Sequence, residues 1–407
     1  MRKEISGGVC AAIGFTASGL RCGVKPDSRP TRKDLALIYS EQPCAAAGMF
    51  TTNQVKASPV LLTRKNLENG RAQAVVANSC NAHACAPEGM ENAVRMQNAA
   101  AAALGVAPED MVVASTGVIG QRLNIEAIEA GIGPATEQLR KDGSDDAARA
   151  IMTTDTTKKE YAFELELGGK TVHIGGISKG SGMIHPNMGT MLCFMTTDCA
   201  ISPTRLNDAL HEAVRVSFHR ISVDGDTSTN DTCVILANGM AQNPEIAEKD
   251  GDYAAFVDVL TELCVRLARD MAADGEGAKH LITCQVAGAK DETQAEIISK
   301  SVIGSTLTKA AIFGCDANWG RVLCAMGYSG EQFDPEAVNV AFASDAGRID
   351  VAICGKGLNF DEDKAKEILS QKEVIIDITM GEGDGSATCW GCDLTYDYVR
   401  INGDYRT

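Results

Sequence analysis

The sequence predicts a mixed α/β fold of the α+β kind, and two features of the pattern indicate it. Segments with the alternation typical of β-strands and segments with helical periodicity follow one another along the whole chain. Hairpins interrupt this alternation, so the chain does not form an ordered series of βαβ units. With 407 residues, 44% of them hydrophobic, the chain can bury one large core or two to three smaller ones.

The first half of the chain predicts strands and helices in turn. Strands are predicted at "LALIYS", at "AQAVVANS" and at "MVVASTGVIG", the last of which runs into a glycine turn. A helix begins at Ser58, a residue type favoured as N-cap, with Pro59 at the first helical position. An alanine-rich helix at 87–105 is ended by a glycine, and "NIEAIEAGIGPATEQLRKDG" predicts a helix with a break at its Gly–Pro pair.

The middle and the end of the chain also predict a mixture of strands and helices. A hairpin is predicted at "YAFELELGGKTVHIGG", followed by the strand "MLCFMTTDCAIS", a second Ser–Pro helix at "SPTRLNDALHEAVRVSFHR" and a long amphipathic helix. Beyond residue 280 the pattern predicts a strand at "HLITCQVAG" and then helices around 291–328, strands near 338–344 and 349–354, a helix at 361–370, and strands at 373–379 and 388–401. The change of composition near "AADGEGAK" predicts a core at 1–280 and a smaller C-terminal domain at 281–407.

Charge and cysteine content exclude several classes of protein. The 38 basic and 54 acidic residues give a net charge of −16 without any basic tract, so neither nucleic acid nor a membrane is an expected partner. No stretch approaches the roughly 20 apolar residues that span a bilayer. The 15 cysteines have no repeated spacing, and no signal peptide is expected because no continuous apolar segment follows the basic residues Arg2 and Lys3. We therefore expect reduced thiols and a protein of the cytoplasm or another reducing compartment.

Three motifs that could hold a ligand fit it poorly. "GGKT" (168–171) lacks the upstream glycine of a phosphate-binding loop and is better explained as a hairpin turn. "DGDTSTND" (224–231) starts like a calcium loop but has Thr229 and Ile235 where glycine and glutamate are needed, which leaves a buried polar structural role open. "CWGC" (389–392) is better explained by two buried cysteines in a strand than by zinc. No metal site and no cofactor is predicted.

The pair Gly189–Thr190 could provide a nucleophile. A threonine hydroxyl is weakly nucleophilic at neutral pH and needs a base close by. The α-amine of the same residue, with a pKa of roughly 7.7–8, can be that base once residue 190 is an N-terminus. This requires a cut between Gly189 and Thr190, in which the Thr190 hydroxyl attacks the carbonyl of Gly189 and water completes the cleavage.

Three other segments could complete such a site. In "VVASTGVIGQ" a strand ends at Ser115–Thr116–Gly117, and a turn of this kind can direct backbone amides and a hydroxyl at a developing oxyanion. Lys179 lies beside glycines in "SKGSGM" and suits a substrate carboxylate. Glu276 in "DGEGA" suits an ammonium group. Each segment taken alone is also explained as a turn or as a solvated charge.

Ten stretches in one order along the chain closely resemble the ornithine acetyltransferase family, which is also the glutamate N-acetyltransferase or ArgJ family. They are "GFTASGLRCGVK" (14–25), "DLALIYS" (34–40), "NSCNAHAC" (78–85), "ASTGVIG" (114–120), "IMTTDT" (151–156), "SKGSGMIHPNMGTML" (178–192), "VDGDTSTND" (223–231), "DGEGA" (274–278), "IFGCDANWGR" (312–321) and "YVRINGDYRT" (398–407). The resemblance runs from end to end. The sequence departs from it in Gly189, where alanine is usual.

The resemblance implies an architecture. The fold is an αββα four-layer sandwich of the ornithine acetyltransferase/DmpA type, with an active site like that of N-terminal-nucleophile enzymes. The smaller C-terminal α/β domain returns its tail to that site. The precursor cuts itself between Gly189 and Thr190 into an α chain 1–189 and a β chain 190–407, and two of each form an α2β2 heterotetramer.

The resemblance also implies roles for residues at matching positions. Thr190 is the nucleophile, with its α-amine as base, and Thr116 and Gly117 stabilise the oxyanion. The substrate contacts are Thr153, Lys179, Thr190, Glu276, Asn402 and Thr407. The implied reaction moves acetyl from N2-acetyl-L-ornithine to L-glutamate through acetyl-Thr190 in arginine biosynthesis. Some members also take acetyl-CoA as donor, and no bound cofactor is implied.

Two alternatives stay open at this point. A related self-cleaving amidohydrolase or aminopeptidase would pass the acyl group to water instead of glutamate. An uncleaved, non-catalytic scaffold would hold Thr190 as an ordinary residue of a core strand, since Gly–Thr pairs are common.

Overall fold

The computed structural model describes residues 2–25, 31–185 and 191–404, so Gly189, Thr190 and Thr407 among the predicted site residues lie outside the described part. The strands are β1 (Lys3–Ile5), β2 (Phe15–Leu20), β3 (Leu35–Phe50), β4 (Arg71–Asn78), β5 (Met111–Ser115), β6 (Lys159–Leu167), β7 (Lys170–Lys179), β8 (Leu192–Thr197), β9 (Ile221–Ser222), β10 (Thr232–Ala237), β11 (Leu281–Ala289), β12 (Asn339–Ser344), β13 (Gly347–Ile353), β14 (Lys356–Gly357), β15 (Glu373–Thr379) and β16 (Gly385–Cys392). The α-helices are α1 (Ser58–Asn66), α2 (Gly89–Leu104), α3 (Ile125–Glu137), α4 (Ser144–Ala150), α5 (Pro203–Arg215), α6 (Gly251–Ala273), α7 (Glu292–Gly304), α8 (Thr306–Phe313), α9 (Trp319–Gly327), α10 (Glu362–Leu369) and α11 (Tyr396–Asp404).

The chain divides into two compact units. Of the described residues, the first unit contains those up to His219 and Asp226–Met271, and the second contains Arg220–Gly225 and those from Ala272 onwards. The second unit thus begins at Ala272, whereas the sequence prediction placed its start at residue 281. The short segment 220–225 joins the second unit because β9 pairs in parallel with β16.

The first unit is built on one mixed sheet. Its strand order is β1-β6-β7-β8-β10-β3-β4-β5, with β2 paired to β3 beside that path. The long strand β3 has an irregular register between Tyr39 and Cys44. Its first part pairs with β2 and β4, and its last part pairs with β10. A bent strand of this length can belong to two layers of a folded sheet.

Side-chain alternation along the strands separates the cores of this unit. In β3, Ala36 and Ile38 face a core that they share with Phe194 of β8 and Val234 of β10, so the β3–β5 part of the sheet packs against the part that contains β8 and β10. The neighbouring Leu37 faces the opposite way, into a second core formed with α2 and α3. Helices therefore cover the outer face of the β3–β5 layer.

The other layer is also covered by a helix. Cys264 of α6 lies with its Sγ 3.7 Å from Sδ of Met195 in β8. Met195 alternates with Phe194, so α6 lies on the face of β8 that points away from the shared core. The layers follow in the order helix, sheet, sheet, helix, and the αββα sandwich that the resemblance implies is confirmed.

The second unit has its own sheet and core. The strand order is β14-β13-β12-β15-β11-β16-β9. Its core combines Ile298 and Val302 of α7 with Phe342 of β12 and Ile376 of β15, and α9 and α10 add to it. A sheet whose buried face is covered by helices matches the predicted smaller α/β domain in class.

Several local predictions are confirmed. The hairpin β6–β7 turns at Gly168 and Gly169, whose φ angles of 53° and 76° need glycine-like freedom. Helix α5 starts as expected, because Oγ of Ser202 accepts a hydrogen bond from N of Arg205. Helix α1 differs slightly, since Ala57 is the N-cap and Ser58 lies within the helix.

Two element predictions are wrong. Helix α3 does not break at its Gly–Pro pair but runs through Pro134, because Ile128, Ile132 and Ala135 remain on one buried face. The last strand does not continue to residue 401. It stops at Cys392, and α11 follows, with the hydroxyl of Thr395 accepting a hydrogen bond from N of Tyr398.

Among the residues that the structure describes, no helix is both long enough and apolar enough to cross a membrane.

Candidate active site

The turn after β5 is fixed by close backbone packing. N of Thr116 donates a 3.0 Å hydrogen bond to the carbonyl of Asn78. Gly117 has a φ of 134°, and a Cβ there would lie 2.3 Å from the carbonyl carbon of Cys80 and 2.6 Å from N of Asn81. Only glycine fits this approach without displacing the backbone, so the geometry explains the glycine at position 117.

Lys179, at the end of β7, is close to this turn. Its side chain is 2% exposed, and its Nζ lies 3.5 Å from Oγ1 of Thr116. Lys179 is also paired across the sheet with Leu192, at the start of β8. The strand that follows Thr190 by two residues therefore runs beside Lys179.

Asp155 lies between Thr153 and Lys179 and joins them. Its Oδ2 accepts a 3.0 Å hydrogen bond from N of Thr153 and lies 4.0 Å from Nζ of Lys179. Its Oδ1 accepts from N of Gly180 at 2.7 Å and from Nζ of Lys159 at 2.8 Å. The carboxylate is therefore bonded on both oxygens by groups from two strands and a loop.

The ionised form of Asp155 is favoured despite its burial. Burial opposes ionisation, but the charges of Lys179 and Lys159, with the hydrogen bonds of Lys159 and Thr153, hold the pKa of Asp155 below its usual range. The side chains of Asp155 and Lys159 have no exposed area. The buried carboxylate of Asp155 therefore has two lysine side chains close to it, at 2.8 Å and 4.0 Å.

A network of buried polar side chains is hydrogen-bonded to the backbone next to the turn after β5. Nδ2 of Asn230 donates to the carbonyl oxygens of Ala82, at 2.6 Å, and Ser115, at 2.8 Å. Oγ of Ser115 donates to Oδ1 of Asn78 at 2.6 Å and lies 3.5 Å from Nδ1 of His83. Burial lowers the pKa of His83 to about 4. The segment resembling a calcium loop thus has the buried polar structural role that the sequence left open.

Asp231 follows Asn230 and contacts the residue after Thr190. Its Oδ1 accepts a 2.8 Å hydrogen bond from N of Met191, and both residues are buried. Burial raises the pKa of Asp231 well above its usual range, against the lowering effects of the Met191 amide, Thr51 and Lys179. The start of β8 is therefore anchored to the same polar region.

Two predicted site residues lie in the second unit and contact each other. Nδ2 of Asn402 in α11 donates a 2.7 Å hydrogen bond to Oε2 of Glu276. The turn of Glu276 is held against the start of α11, because the carbonyl of Gly277 accepts from Oγ1 of Thr395 at 2.8 Å. Glu276 is half-buried and Asn402 is exposed.

The structure thus brings Thr116, Gly117, Thr153 and Lys179 together in the first unit, and Glu276 and Asn402 together in the second. The sequence predictions missed four buried residues of the first unit, namely His83, Asp155, Lys159 and Asp231. "IMTTDT" contains Asp155, and Lys159 follows it at a spacing of four. The spacing of four between Asp155 and Lys159 was the signal of an ion pair that the sequence offered. The sequence does not show that both charged side chains are buried.

An open cavity of about 1130 Å³ lies in another part of the first unit. It is formed by β3 with α1 and α5 and is lined by Lys56, Arg64, Asn207, His211 and His219 among others. None of the predicted site residues that the structure describes lines it, so the candidate active site remains at the ends of β5 and β7.

The αββα layering defines the fold class of this protein, and its sequence relatives identify the family. The chain belongs to the ArgJ family, whose model matches residues 16–407. It is 52% identical over 404 residues to the arginine biosynthesis bifunctional protein ArgJ of Symbiobacterium thermophilum, covering 99% of each chain. It is 45% identical over 406 residues to the protein of the same name from Bacillus subtilis, covering 99% of this chain and 98% of that one.

A solved structure gives a similar result. The crystal structure of the arginine biosynthesis bifunctional protein ArgJ from Bacillus halodurans is 42% identical, with a TM-score of 0.50. The match covers 52% of this chain and 97% of that chain. The predicted family is confirmed, and with it the prediction of an acyltransferase of arginine biosynthesis.

Proposed function

We propose that this chain is a glutamate N-acetyltransferase that moves acetyl from N2-acetyl-L-ornithine to L-glutamate. The observation that carries the proposal is the placement of buried Lys179, which lies beside Thr116 and pairs with the strand that starts two residues after Thr190. A turn with a hydroxyl and backbone amides suits a developing oxyanion, and a buried ammonium group suits a substrate carboxylate. Similarity to the named arginine biosynthesis proteins supports the same assignment.

The proposed first step is self-cleavage. The Thr190 hydroxyl attacks the Gly189 carbonyl, the bond from that carbonyl to the Thr190 nitrogen breaks, and an ester forms. Water then hydrolyses the ester, so that Gly189 gains a carboxylate and Thr190 regains its hydroxyl. The products are the α chain 1–189 and the β chain 190–407, and the freed α-amine becomes a base.

Acetyl transfer then takes two half-reactions. The Thr190 hydroxyl attacks the acetamide carbonyl while its α-amine takes the proton, and Thr116 and Gly117 stabilise the oxyanion. The carbon–nitrogen bond breaks, the proton passes to the leaving amine, and ornithine departs from acetyl-Thr190. The amine of glutamate next attacks the ester carbonyl, and Thr190 regains its hydroxyl as N-acetylglutamate leaves.

Both substrates share an amino-acid skeleton, so one set of residues can hold each in turn. We assign Lys179 and Thr153 to the carboxylate, and Glu276, Asn402 and Thr407 to the rest of the molecule. Acetyl-CoA is proposed as a second donor that would acetylate the same hydroxyl, which fits the word bifunctional in the names of the relatives. No bound cofactor is required, and the proposed location is the cytoplasm.

Ornithine release from N2-acetylornithine, measured with and without glutamate, tests the transfer. We expect release in excess of enzyme only when glutamate is present, with an equal amount of N-acetylglutamate. Sustained release without glutamate would contradict the proposal and identify an amidohydrolase in which water takes the acetyl group.

Variants of the nucleophile test the role of the hydroxyl. Thr190→Ala should give an uncleaved, inactive chain, because no oxygen remains to attack either carbonyl. Thr190→Ser keeps a hydroxyl and should retain part of both activities. Cleavage at 189/190 in the alanine variant, observed on a denaturing gel, would contradict the self-cleavage step.

A further inference from the structure

We infer that Asp155 is a positioning residue for the transfer reaction, setting Thr153 and Lys179 in place together while Lys159 balances its charge. The inference rests on the proposed function of this site. Asp155 is not among the residues expected to touch substrate, and it acts through the groups that are.

The geometry of the carboxylate shows how it could act on both partners. Thr153 lies in the loop between α4 and β6, whereas Lys179 ends β7. Oδ2 accepts the amide of Thr153 at 3.0 Å and lies 4.0 Å from Nζ of Lys179. Oδ1 accepts the amide of Gly180, the residue after Lys179, at 2.7 Å. One rigid group thus connects the loop to the end of the strand.

Burial makes these bonds strong constraints. The side chain of Asp155 has no exposed area, so water cannot replace a lost partner, and an unsatisfied carboxylate would be costly. A displacement of the carboxylate must therefore move its partners. Placement errors of about 1 Å in reacting or binding groups reduce rates on the order of a hundredfold.

The two lysines lie at different distances from the Asp155 carboxylate and therefore have different roles. Nζ of Lys159 is 2.8 Å from Oδ1, within a hydrogen bond, whereas Nζ of Lys179 is 4.0 Å from Oδ2. Asp155 therefore pairs more closely with Lys159. Among these three groups one positive charge is left in excess, beside Thr116. The charge of Lys179 also acts on Asp231, where it opposes the rise in pKa that burial causes. An excess cation attracts the carboxylate of an amino-acid substrate.

Four variants separate positioning from charge. Asp155→Glu keeps the charge but moves the carboxylate by one methylene. Asp155→Asn removes the charge, and Lys159→Met removes the balancing ammonium group. The double variant D155N/K159M restores the wild-type net charge of the three positions without a carboxylate. The matched control is D145N/R149M, which removes an exposed ion pair of the same spacing on α4.

The measurements are kcat and KM for N2-acetylornithine and the pH dependence of kcat/KM, on variants whose fold is checked by circular dichroism. We expect kcat/KM to fall on the order of a hundredfold in Asp155→Glu and to stay low in the double variant. In Asp155→Asn the alkaline fall in activity should move to lower pH, because the nearby ammonium groups lose their carboxylate. The control should match the wild type.

The inference is overturned if Asp155→Glu has wild-type kinetics, or if the double variant regains wild-type kcat/KM and pH profile. The second result would mean that only the charge balance matters. If the wild type itself transfers no acetyl group, the proposed function fails. In that case, the affinity for N2-acetylornithine measured by calorimetry tests the positioning role. Asp155→Glu should weaken this binding, whereas D145N/R149M should leave it unchanged.

Discussion

At the scale of single residues, Gly117 has the most constrained backbone in the candidate site. Its φ of 134° is unfavourable for other residues, and a Cβ would lie 2.3 Å from a backbone atom of Cys80. We predict that Gly117→Ala lowers the free energy of unfolding by about 1–3 kcal/mol and also lowers kcat. Denaturant unfolding and steady-state kinetics measure the two effects.

Gly120 provides the matched control for this prediction. Its φ of 79° is also positive, but a Cβ there would meet no atom within 4 Å. Gly120→Ala should therefore lose less stability and leave kcat close to the wild-type value. Equal losses in the two variants would contradict the claim that close packing against Cys80 fixes the turn.

The lowered pKa of His83 predicts that the stability of the folded protein depends on pH. Burial lowers its pKa in the folded protein to about 4, whereas the unfolded chain binds the proton below about 6.5. Above pH 6.5 the ring is neutral in both states and has no effect. As pH falls from about 6.5 to about 4, the unfolded state gains protons first, and stability should drop by about 3 kcal/mol.

His83→Gln isolates this effect, because the variant cannot take up the proton. Urea unfolding at several pH values should show a smaller decrease in stability over the same window in the variant. An equal pH slope in the two proteins would exclude His83 as the cause.

The residues of the site could be predicted only in part. Thr116, Lys179 and Glu276 were selected from the sequence because each lies beside glycines, which mark turns whatever the tertiary structure is, and their roles stay predictions. Asp155 and Lys159 were missed because their importance comes from burial, and burial depends on strands that pack from elsewhere in the chain.

At the scale of the secondary-structure elements, a substitution of Ser202 tests most directly whether a predicted N-cap residue stabilises its helix. The Ser202 hydroxyl caps α5 by accepting from N of Arg205. Ser202→Ala should reduce the free energy of unfolding by about 1 kcal/mol. Ser58→Ala is the control, since Ser58 is within α1 and Ala57 is the N-cap there. Equal losses would show that capping does not explain the start of α5.

Elements with a strong local pattern were predicted well, and those decided by packing were not. The β6–β7 hairpin follows from strict alternation and a Gly–Gly turn. Pro134 is a strong local signal for a break, but the buried face of α3 outweighs it. The residues after Cys392 contain aromatic and β-branched types suited to a strand, yet the Thr395 hydroxyl starts a helix there.

At the scale of the whole molecule, the order of the strands in the sheets could not be predicted from the sequence pattern. The order places β8 and β10 between β7 and β3, which local residues do not encode. The αββα architecture was accessible only through family resemblance. The segment 220–225 shows the same limit, because its place in the second unit depends on pairing with a strand more than 150 residues away.

This strand order predicts how the cleaved chains behave. Strands β8 and β10 belong to the proposed β chain, and their neighbours β7 and β3 belong to the proposed α chain. After the cut the two chains share one hydrogen-bonded sheet and should co-purify in native gel filtration, as the proposed α2β2 assembly requires. They should separate only in denaturant. Dissociation under native conditions would contradict a shared sheet.

The most direct test of the central claim is the intact mass of the protein after incubation with N2-acetylornithine in the absence of glutamate. We predict two chains, 1–189 and 190–407, with one acetyl group on Thr190 at the start of the second chain. Glutamate should remove that acetyl group. A single unacetylated chain of 42.9 kDa would contradict both the self-cleavage and the acetyl-Thr190 intermediate.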